Sequence, residues 1–443
     1  MPDYNIGKES DVSRLLTCIS DCNIIQIVND NYSTREFIYK KRLITPQIKS
    51  AVEAFPIVVI SGARQVGKST LLQNEFTDFK YISLDDFSIL QQAKTDPASL
   101  WVDTDRIIID EAQKSPELIS AIKLVVDRSH RRKHFILSGS SNMLLMKRIS
   151  ETLAGRAVYF EMLPMTYSEM ENKTDAPLRF FDLWEEAFKA AELQATPINT
   201  AALILKGFMP PLIHLADRRD ILLWWEGYVK TYLERDVREL TQVESLIDFK
   251  KVLDSLAVRT GNVLNQTEVS RDSGVSQPTV HRYVKLLEVS NIINRIPSYY
   301  RNRTKRITKS PKLFFIDAGL SVYLAGYYDE DSLLHSRERG SFFETMVYMH
   351  LKAASELMVP KAKIFYWRTT TGKEVDFVLE HGKRLLAFEV KLTQNPTFND
   401  AKNLLAFIEE YPQTTRGILL HSGNVVKWLH SKILSAPWWW VWE

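Results

Sequence analysis

The glycine-rich stretch GARQVGKST at residues 62–70 has the residue types and spacing of a phosphate-binding loop. The glycines allow backbone N–H groups to wrap a chain of phosphates, and the positive end of a following helix attracts the same charge. In this pattern the lysine reaches the β- and γ-phosphates, and the adjacent hydroxyl ligates Mg²⁺. The predicted nucleotide contacts are Gly62, Gly67, Lys68, Ser69 and Thr70.

A second part of a nucleotide site is expected where an apolar strand ends in acids. The run RIIIDE ends in Asp110 and Glu111. Asp110 is predicted to hold Mg²⁺ and its water shell, and Glu111 to orient or deprotonate the attacking water. The alternative is an acid that caps the next helix. Another strand, KHFILSGSSN, ends in hydroxyl groups, and Ser138 or Ser141 is either a γ-phosphate contact or a turn residue.

Acids and a lysine also follow one another on two predicted strands near the C-terminus. Asp376 lies in VDFVL, and Glu389 and Lys391 lie two residues apart in AFEVKL, on one face of a strand. An upstream amphipathic helix offers Glu344. Because Mg²⁺ prefers oxygen ligands, the three acids are predicted to bind metal, and the lysine to steady water or developing charge. A structural ladder of paired charges is the alternative.

The stretch NQTEVSRDSGVSQPTVHRYVKLLEVSNII, residues 265–293, has the features of a helix-turn-helix. A first helix ends at Gly274, and Pro278 begins a second helix, where its missing N–H is tolerated. Polar side chains outside the second helix suit a DNA groove, although such a unit can also pack against protein. The candidate contacts are Gln277, Thr279, His281, Arg282 and Lys285.

A run of basic residues without an acid follows at residues 295–312. A basic hairpin beside a helix-turn-helix is a phosphate-binding arrangement, and a solvated charged loop is the alternative. The run contains Arg295, Arg301, Arg303, Lys305, Arg306, Lys309 and Lys312. Its predicted DNA contacts are Arg301, Arg303, Lys305 and Arg306.

Length and composition limit the class of protein that presents these residues. The chain has 443 residues, 45% apolar and 25% charged, which predicts a soluble protein of several domains. Its net charge of +3 is too small to establish a polyanionic partner by itself. The only cysteines, Cys18 and Cys22, are interpreted as reduced thiols. Without a secretory signal or a membrane-length apolar run, we expect a cytoplasmic protein with no membrane partner.

Short apolar runs alternate with amphipathic stretches from residue 46 to about 165, which indicates a parallel α/β sheet. The predicted fold class is therefore a multidomain α/β protein. The predicted parts are an N-terminal arm at 1–45, a P-loop ATPase domain at 46–170, a helical connector at 171–245, a winged-helix-like domain at 246–312 and an α/β domain at 313–443.

Several stretches together resemble one family. GARQVGKSTLL, IIIDEAQ, FILSGSSN and LAGRAVYFEMLPMTYSEM are similar to AAA-type P-loop ATPases of bacteria and archaea that carry a C-terminal nuclease-like domain. The resemblance implies that Arg156, in LAGRAV, acts at a neighbour's nucleotide or senses the γ-phosphate, with a structural ion pair as the alternative. It also implies a possible homo-oligomer formed through the ATPase domain.

The stretch EVDFVLEHGKRLLAFEVKLT resembles the PD-(D/E)xK phosphodiesterase domain of the same family, although Val375 stands where the motif has proline. The sequence thus predicts an ATP- and Mg²⁺-dependent protein that acts on DNA and has a C-terminal nuclease domain. The alternative is a nucleotide-dependent switch that binds a partner without cleavage. NKTD at residues 172–175 spells a guanine-reading motif, but it follows no buried strand, so ATP is favoured over GTP.

Overall fold

The structure is a computed structural model that describes residues 38–130, 132–140, 153–231, 245–302, 306 and 309–443. Lys40–Glu443 forms one compact unit. This unit starts ahead of residue 46, where the first domain was predicted, and Arg42 is already buried in it. Cys18 and Cys22 lie outside the described residues. No helix among the described residues is long and apolar enough to cross a membrane.

A five-stranded parallel sheet carries the glycine-rich loop. Its strands are β1 Ile57–Gly62, β2 Lys80–Ser83, β3 Arg106–Asp110, β4 His134–Ser140 and β5 Ala157–Glu161. They lie in the order β2-β3-β4-β1-β5. Alternate side chains of β1 pack into different cores, with Val58 and Ile60 on one face and Ile57 and Val59 on the other. The nearby helices are α1 Thr45–Ala54, α2 Lys68–Glu75, α3 Phe87–Thr95 and α4 Pro116–Arg128, with 3-10 helices at Pro97–Trp101 and Ala112–Lys114.

Short elements follow the parallel sheet. They are α5 Tyr167–Met170, α6 Arg179–Asp182, β6 Leu193–Gln194, α7 Thr200–Lys206, a 3-10 helix at Pro210–His214 and α8 Arg218–Tyr228. The stretch RFFDLWEEAFKAAEL belongs to the predicted helical connector, but only its first turn is helical. The buried guanidinium of Arg416 donates hydrogen bonds to the carbonyls of Leu183, Glu185 and Phe188. These carbonyl groups therefore accept hydrogen bonds from a side chain instead of from the backbone N–H groups of a helix.

The region from residue 246 to residue 315, which includes the predicted helix-turn-helix stretch, folds into three helices and a small antiparallel sheet over the residues that the structure describes. Its elements are α9 Leu246–Ala257, β7 Asn262–Val263, α10 Gln266–Ser273, α11 Gln277–Val289, β8 Ile293–Ile296 and β9 Lys312–Phe315. The strand order is β7-β9-β8. α10 ends at Gly274, whose φ of 70° lies in the left-handed region. α11 follows the capping residue Ser276 and has Pro278 in its first turn, so both helices form where they were predicted.

The C-terminal region contains a seven-stranded mixed sheet. Its helices are α12 Ala318–Leu324, α13 Glu330–His335, α14 Arg339–Glu356 and α15 Lys402–Glu410, with 3-10 helices at Phe398–Ala401 and Trp438–Trp442. Six strands of this sheet are β10 Lys363–Arg368, β11 Glu374–His381, β12 Arg384–Lys391, β13 Thr414–His421, β14 Val425–His430 and β15 Ile433–Pro437, and β6 is the seventh. The order is β10-β11-β12-β13-β15-β14-β6. The last strand stops at Pro437, and the tryptophan-rich end forms a buried 3-10 helix.

Hydrophobic cores cross the predicted domain boundaries. One core joins Ile48 of α1 to Phe315 of β9, and a second extends from Met165 to Trp442. The connector and the C-terminal sheet also share backbone pairing, because β6 pairs with β14. The regions described above are therefore parts of one packed unit, and they share these two cores.

Candidate functional site

The glycine-rich loop needs its two outer glycines for different steric reasons. A Cβ atom on Gly62 would lie 2.2 Å from the carbonyl oxygen of Met162, which no side chain tolerates. Gly67 has a φ of 89°, in the left-handed region that favours glycine. The loop joins the end of β1 to the start of α2, the strand–loop–helix context that a phosphate-binding loop requires.

Lys68 lies inside this loop. Its ammonium donates hydrogen bonds to the carbonyls of Gly62 at 3.0 Å and Ala63 at 2.9 Å. Burial lowers the pKa of Lys68 to about 8, although the nearby Glu111 and Asp110 oppose this shift. The ammonium is therefore held where the loop's backbone encloses it, in the position from which a lysine contacts phosphate oxygens.

Asp110 is the point on which three hydroxyl groups converge. Its Oδ2 accepts hydrogen bonds from Ser69 Oγ and from the Tyr81 hydroxyl, both at 2.5 Å. Its Oδ1 accepts one from Ser138 Oγ at 2.6 Å. The strand order explains the third contact, since β4 lies between β1 and β3. The predicted residues Ser69, Asp110 and Ser138 are thus brought together, and Tyr81 joins them.

Glu111 follows Asp110 in an unusual backbone conformation. Its φ of 54° lies in the left-handed region, which is uncommon for a residue other than glycine. Burial raises the pKa of Glu111, and the charge of Lys68 acts in the opposite direction. Its carboxylate accepts a hydrogen bond from the Gln113 side chain. The Glu111 carboxylate is therefore close enough to the Lys68 ammonium for their charges to interact.

These oxygens fit a magnesium ion bound together with a nucleotide. Ser69 Oγ and Asp110 Oδ2 are already adjacent, and both are hard oxygen donors of the kind Mg²⁺ prefers. Thr70 lies half-buried in the first turn of α2. The second candidate γ-phosphate contact, Ser141, lies outside the described residues.

Arg156 lies at the opposite end of the parallel sheet from the loop. The register pairs Ala157 with Ile57, the first residue of β1, whereas Gly62 is the last. A strand of this length spans about 17 Å. The Arg156 Nε and Nη2 atoms bond to the two carboxylate oxygens of Asp127 at 2.6 and 2.9 Å. Sensing of the γ-phosphate in the same chain is therefore wrong, and action at a neighbour's nucleotide stays a prediction.

The NKTD stretch makes ion pairs elsewhere in the fold. Lys173 Nζ lies 2.6 Å from Glu443 Oε1, and Lys41 Nζ lies 3.2 Å from Asp175 Oδ1. Asn172 occupies a left-handed turn after α5. These residues make surface ion pairs, and the choice of ATP over GTP stays a prediction.

The predicted DNA-contacting helix presents most of its polar residues to solvent. Gln277, His281, Arg282 and Lys285 of α11 are exposed, while Val280, Val284 and Leu287 are buried. Thr279 is half-buried, and its hydroxyl accepts a hydrogen bond from Ser276. His281 lies 3.3 Å from Gln266 of α10. The helix thus separates an apolar inner face from a polar outer face.

The basic run does not form a single exposed surface. Arg306 is largely buried, forms two hydrogen bonds with Glu380 at 2.8 and 3.1 Å, and stacks on the rings of Tyr299 and Phe365. Its prediction as a DNA contact is therefore wrong. Arg295 pairs with Glu288. Arg301 and Lys309 are exposed, whereas Arg303 and Lys305 lie outside the described residues.

Lys312, the last member of the basic run, is buried among acids of the C-terminal region. Its ammonium lies 2.8 Å from Glu344, 2.6 Å from Glu374 and 3.6 Å from Asp376. Burial by itself lowers the pKa of Lys312, but the attraction of these carboxylates outweighs it and raises that pKa. Burial has the opposite effect on Glu344: it raises the pKa of Glu344 to about 8, although the positive charge of Lys312 opposes this shift. We call Glu344, Glu374, Asp376 and Glu389 the acidic cluster.

Glu389 and Lys391 form the other side of the cluster. Lys391 Nζ lies 2.7 Å from Glu389 Oε1, while Glu389 Oε2 is buried without a hydrogen-bond partner. Burial raises the pKa of Glu389 well above its ordinary value, and the charge of Asp376 adds to the shift. Asp376 Oδ2 accepts a hydrogen bond from the backbone N–H of Val390 at 2.8 Å.

The cluster gathers the predicted residues around a lysine rather than around an open coordination sphere. Over the described parts of the chain, no group of three or more His, Cys, Asp or Glu side chains is arranged to hold a metal ion. The metal set predicted from Glu344, Asp376 and Glu389 is therefore not assembled in this arrangement. Lys312 was missed because it was counted in the basic run, although its position directly before the apolar letters LFFI marks a residue entering a buried strand.

Three regions of the chain match known families. Residues 54–171 match the family described as an AAA domain. The chain contains an AAA-type P-loop domain. Residues 199–331 match a domain of unknown function, DUF8612, and residues 339–439 match another, DUF4143. The AAA part of the resemblance is confirmed, and its nuclease-like part stays a prediction.

Similar proteins come from bacteria and archaea. The uncharacterized protein Rv2008c of Mycobacterium tuberculosis is 27% identical over 364 residues, which cover 82% of this chain and 76% of that protein. The uncharacterized protein MJ1544 of Methanocaldococcus jannaschii is 23% identical, with 80% of this chain and 78% of that protein covered. Among solved structures, the Walker-type ATPase PABY2304 of Pyrococcus abyssi has 16% identity and a TM-score of 0.43, covering 66% of this chain and 97% of that chain.

Proposed function

We propose that this protein hydrolyses ATP with Mg²⁺ in its AAA-type domain and acts on DNA. The observation that carries the ATPase proposal is the convergence of Ser69, Tyr81 and Ser138 on Asp110, next to the buried ammonium of Lys68. Ser69 and Asp110 would hold the ion, which supplies charge neutralisation to the phosphates when bound.

The chain's own groups divide the work of hydrolysis. Lys68 binds phosphate oxygens, and it gives up its bonds to the loop carbonyls when it does so. Glu111 orients the attacking water and accepts its proton, a role favoured by a carboxylate whose pKa is raised by burial. Gln113 holds the Glu111 carboxylate through a hydrogen bond and so fixes its direction.

Measurements of ATP binding and turnover in two variants test this division. Lys68→Ala is expected to lose nucleotide binding, whereas Glu111→Gln is expected to bind ATP and turn it over at least about a hundredfold more slowly. GTP should be the poorer substrate. Native turnover by Glu111→Gln would remove Glu111 from the water-activating role, and equal use of GTP would contradict the choice of ATP.

The DNA proposal rests on the polar outer face of α11. In its described part, the region around α11 has three helices and a small antiparallel sheet, in the order helix, strand, helix, helix, strand, strand, and this order supports the proposal of a winged helix. In such a unit the second helix of the turn enters the major groove and the connection between the last strands lies beside the backbone. Lys285 and Arg301 are exposed on these two elements and suit phosphate or base contacts.

A second candidate activity is cleavage of phosphodiester bonds at the acidic cluster. It is favoured by Glu389 Oε2, a buried carboxylate oxygen without a hydrogen-bond partner, in a cluster that also includes Asp376 and Lys391. Burying such an oxygen unpaired is unfavourable unless another group can approach it. Incubating the protein with plasmid and oligonucleotides, with and without ATP and with Mg²⁺ or Mn²⁺, tests this activity. Absence of cleavage under every condition would favour a switch that only binds its partner.

A further inference from the structure

We propose that Lys312 is the resident cation of the acidic cluster and that its ammonium competes with a divalent metal ion for these carboxylates. The inference deepens the proposed cleavage activity, because it makes withdrawal of Lys312 a condition for that activity. Its core claim concerns cation binding, so it can be tested without any cleavage.

The Lys312 ammonium occupies the space between carboxylates of the acidic cluster. The Lys312 ammonium stands 2.8 Å from Glu344 and 2.6 Å from Glu374, with Asp376 at 3.6 Å. A divalent ion would bind these same oxygens at about 2.0–2.6 Å. An ammonium and a metal ion cannot both occupy the space between them, so the lysine excludes the ion while it remains there.

The buried carboxylates of the acidic cluster need positive charge nearby. Four carboxylates form the cluster. Among the described residues, the ammonium groups of Lys312 and Lys391 are bonded within it, and the Arg368 guanidinium lies 3.6 Å from Glu374 at its edge. Removal of Lys312 would leave Glu344 and Asp376 buried without their cation, which is unfavourable unless another positive charge replaces it. A divalent ion supplies more positive charge than the lysine at the same place. The carboxylates therefore accept either cation, and the neighbouring lysine has the advantage of being covalently tethered.

Lys312 and two of the acids that it contacts belong to strands of different sheets. Lys312 is the first residue of β9, which pairs with β8 and β7 of the winged-helix-like sheet, whereas Glu374 and Asp376 belong to β11 of the C-terminal sheet. The ammonium also lies 5.8 Å from the Tyr366 ring of β10. The connection that ends at Lys312 is the same one that carries exposed Arg301.

Calorimetric titration of Mn²⁺ into nucleotide-free protein tests the competition. Lys312→Met is expected to bind Mn²⁺ at the cluster at least about tenfold more tightly than the native protein. Adding Asp376→Asn to that variant should abolish the gain. Lys309→Met removes an exposed lysine from the same connection and should behave as native. Lys312→Arg, which keeps the positive charge, should show no gain either.

Thermal unfolding provides a second readout. Mn²⁺ should raise the unfolding temperature of Lys312→Met more than that of the native protein, because a ligand that binds only the folded state stabilises it. If Lys312→Met does not fold, the double variant Lys312→Met/Glu374→Gln removes one charge of each sign. It keeps Glu344 and Asp376, so it should show a smaller gain in Mn²⁺ binding, which Asp376→Asn should still abolish.

The outcomes separate this inference from the proposed cleavage. No gain of an Asp376-dependent site in either variant, or an equally tight site in the native protein, would overturn the competition. A gained site in a protein that cuts no nucleic acid would support the competition and count against cleavage. Cleavage by the native protein, together with native binding as tight as in the variants, would support cleavage and overturn the competition.

Discussion

Glu344 and Lys352 stand two turns apart on α14 and attach this one helix to two different sheets. Glu344 bonds to Lys312 of β9 at 2.8 Å, while Lys352 Nζ lies 2.9 Å from Glu161 of β5. Glu161 is paired in register with Ser61, the residue before the glycine-rich loop. The helix rise separates the two side chains by about 12 Å along the axis. A rigid helix thus connects the strand beside the nucleotide loop to the acidic cluster.

The first prediction concerns the inner ion network on this helix. Lys352 also bonds to Glu356 at 2.7 Å, and only 21% of its side chain is exposed. Lys352→Met leaves two carboxylates without their shared cation, so we expect the free energy of unfolding to fall by about 3 kcal/mol. Lys361→Met removes a more exposed partner of Glu356 and should cost less than about 1 kcal/mol. Denaturant unfolding measures both, and equal losses would contradict a special role for Lys352.

The second prediction concerns Arg42, which no sequence motif indicated. Its guanidinium donates to the carbonyls of Val66 in the glycine-rich loop at 2.7 Å and of Leu163 at 2.6 Å, and it pairs with Glu169. Arg42→Lys keeps a charge but cannot reach all three partners, so the loop should be less well ordered. We expect weaker ATP binding with turnover at saturation largely kept, measured as a rise in KM without a matching fall in kcat. A fall in kcat alone would contradict this positioning role.

The nucleotide site was largely predictable because its parts are local in sequence. Gly62, Lys68 and Ser69 lie in one strand–loop–helix segment, and the sheet order then brings Asp110 beside them. Lys312 was not predictable in the same way, because a basic run gives no indication of which of its side chains turns inward. Its partner Glu374 lies far along the chain, on a strand of another sheet. Arg416 bonds to carbonyl groups in the stretch after Arg179, where a helix was predicted. These contacts also join residues that lie far apart in the sequence.

The third prediction separates exposed basic residues from buried ones. Lys285→Ala and Arg301→Ala each remove an exposed cation from the proposed DNA surface, so each should flatten the log–log salt dependence of duplex binding by about 0.9. Arg306→Ala should instead lower the unfolding temperature, since it breaks the pair with Glu380. Lys94 is exposed on α3, so Lys94→Ala provides a matched control that should leave DNA binding unchanged. Fluorescence anisotropy at several salt concentrations measures the slope, and unchanged slopes for both exposed variants would contradict the DNA proposal.

The last prediction is a loss of stability in acid that depends on His350. Its Nε2 accepts a hydrogen bond from the Tyr167 N–H at 3.0 Å, and its Nδ1 lies 2.8 Å from the Met346 carbonyl, to which it donates. Burial lowers the pKa of His350 to about 4 from an ordinary value of 6.5. The unfolded chain therefore takes up the proton first as the pH falls, and the folded state loses stability between pH 6.5 and 4.

A shift of this size corresponds to about 3 kcal/mol over that pH interval. His350→Gln tests the assignment because an amide can donate to the Met346 carbonyl and accept from the Tyr167 N–H without titrating. Denaturant unfolding at a series of pH values should show a shallower acid loss for this variant than for the native protein. Burial lowers the pKa of His421 in the same direction, so part of the native slope should remain. An identical slope in His350→Gln would contradict the assignment, because the titrating group would then lie elsewhere.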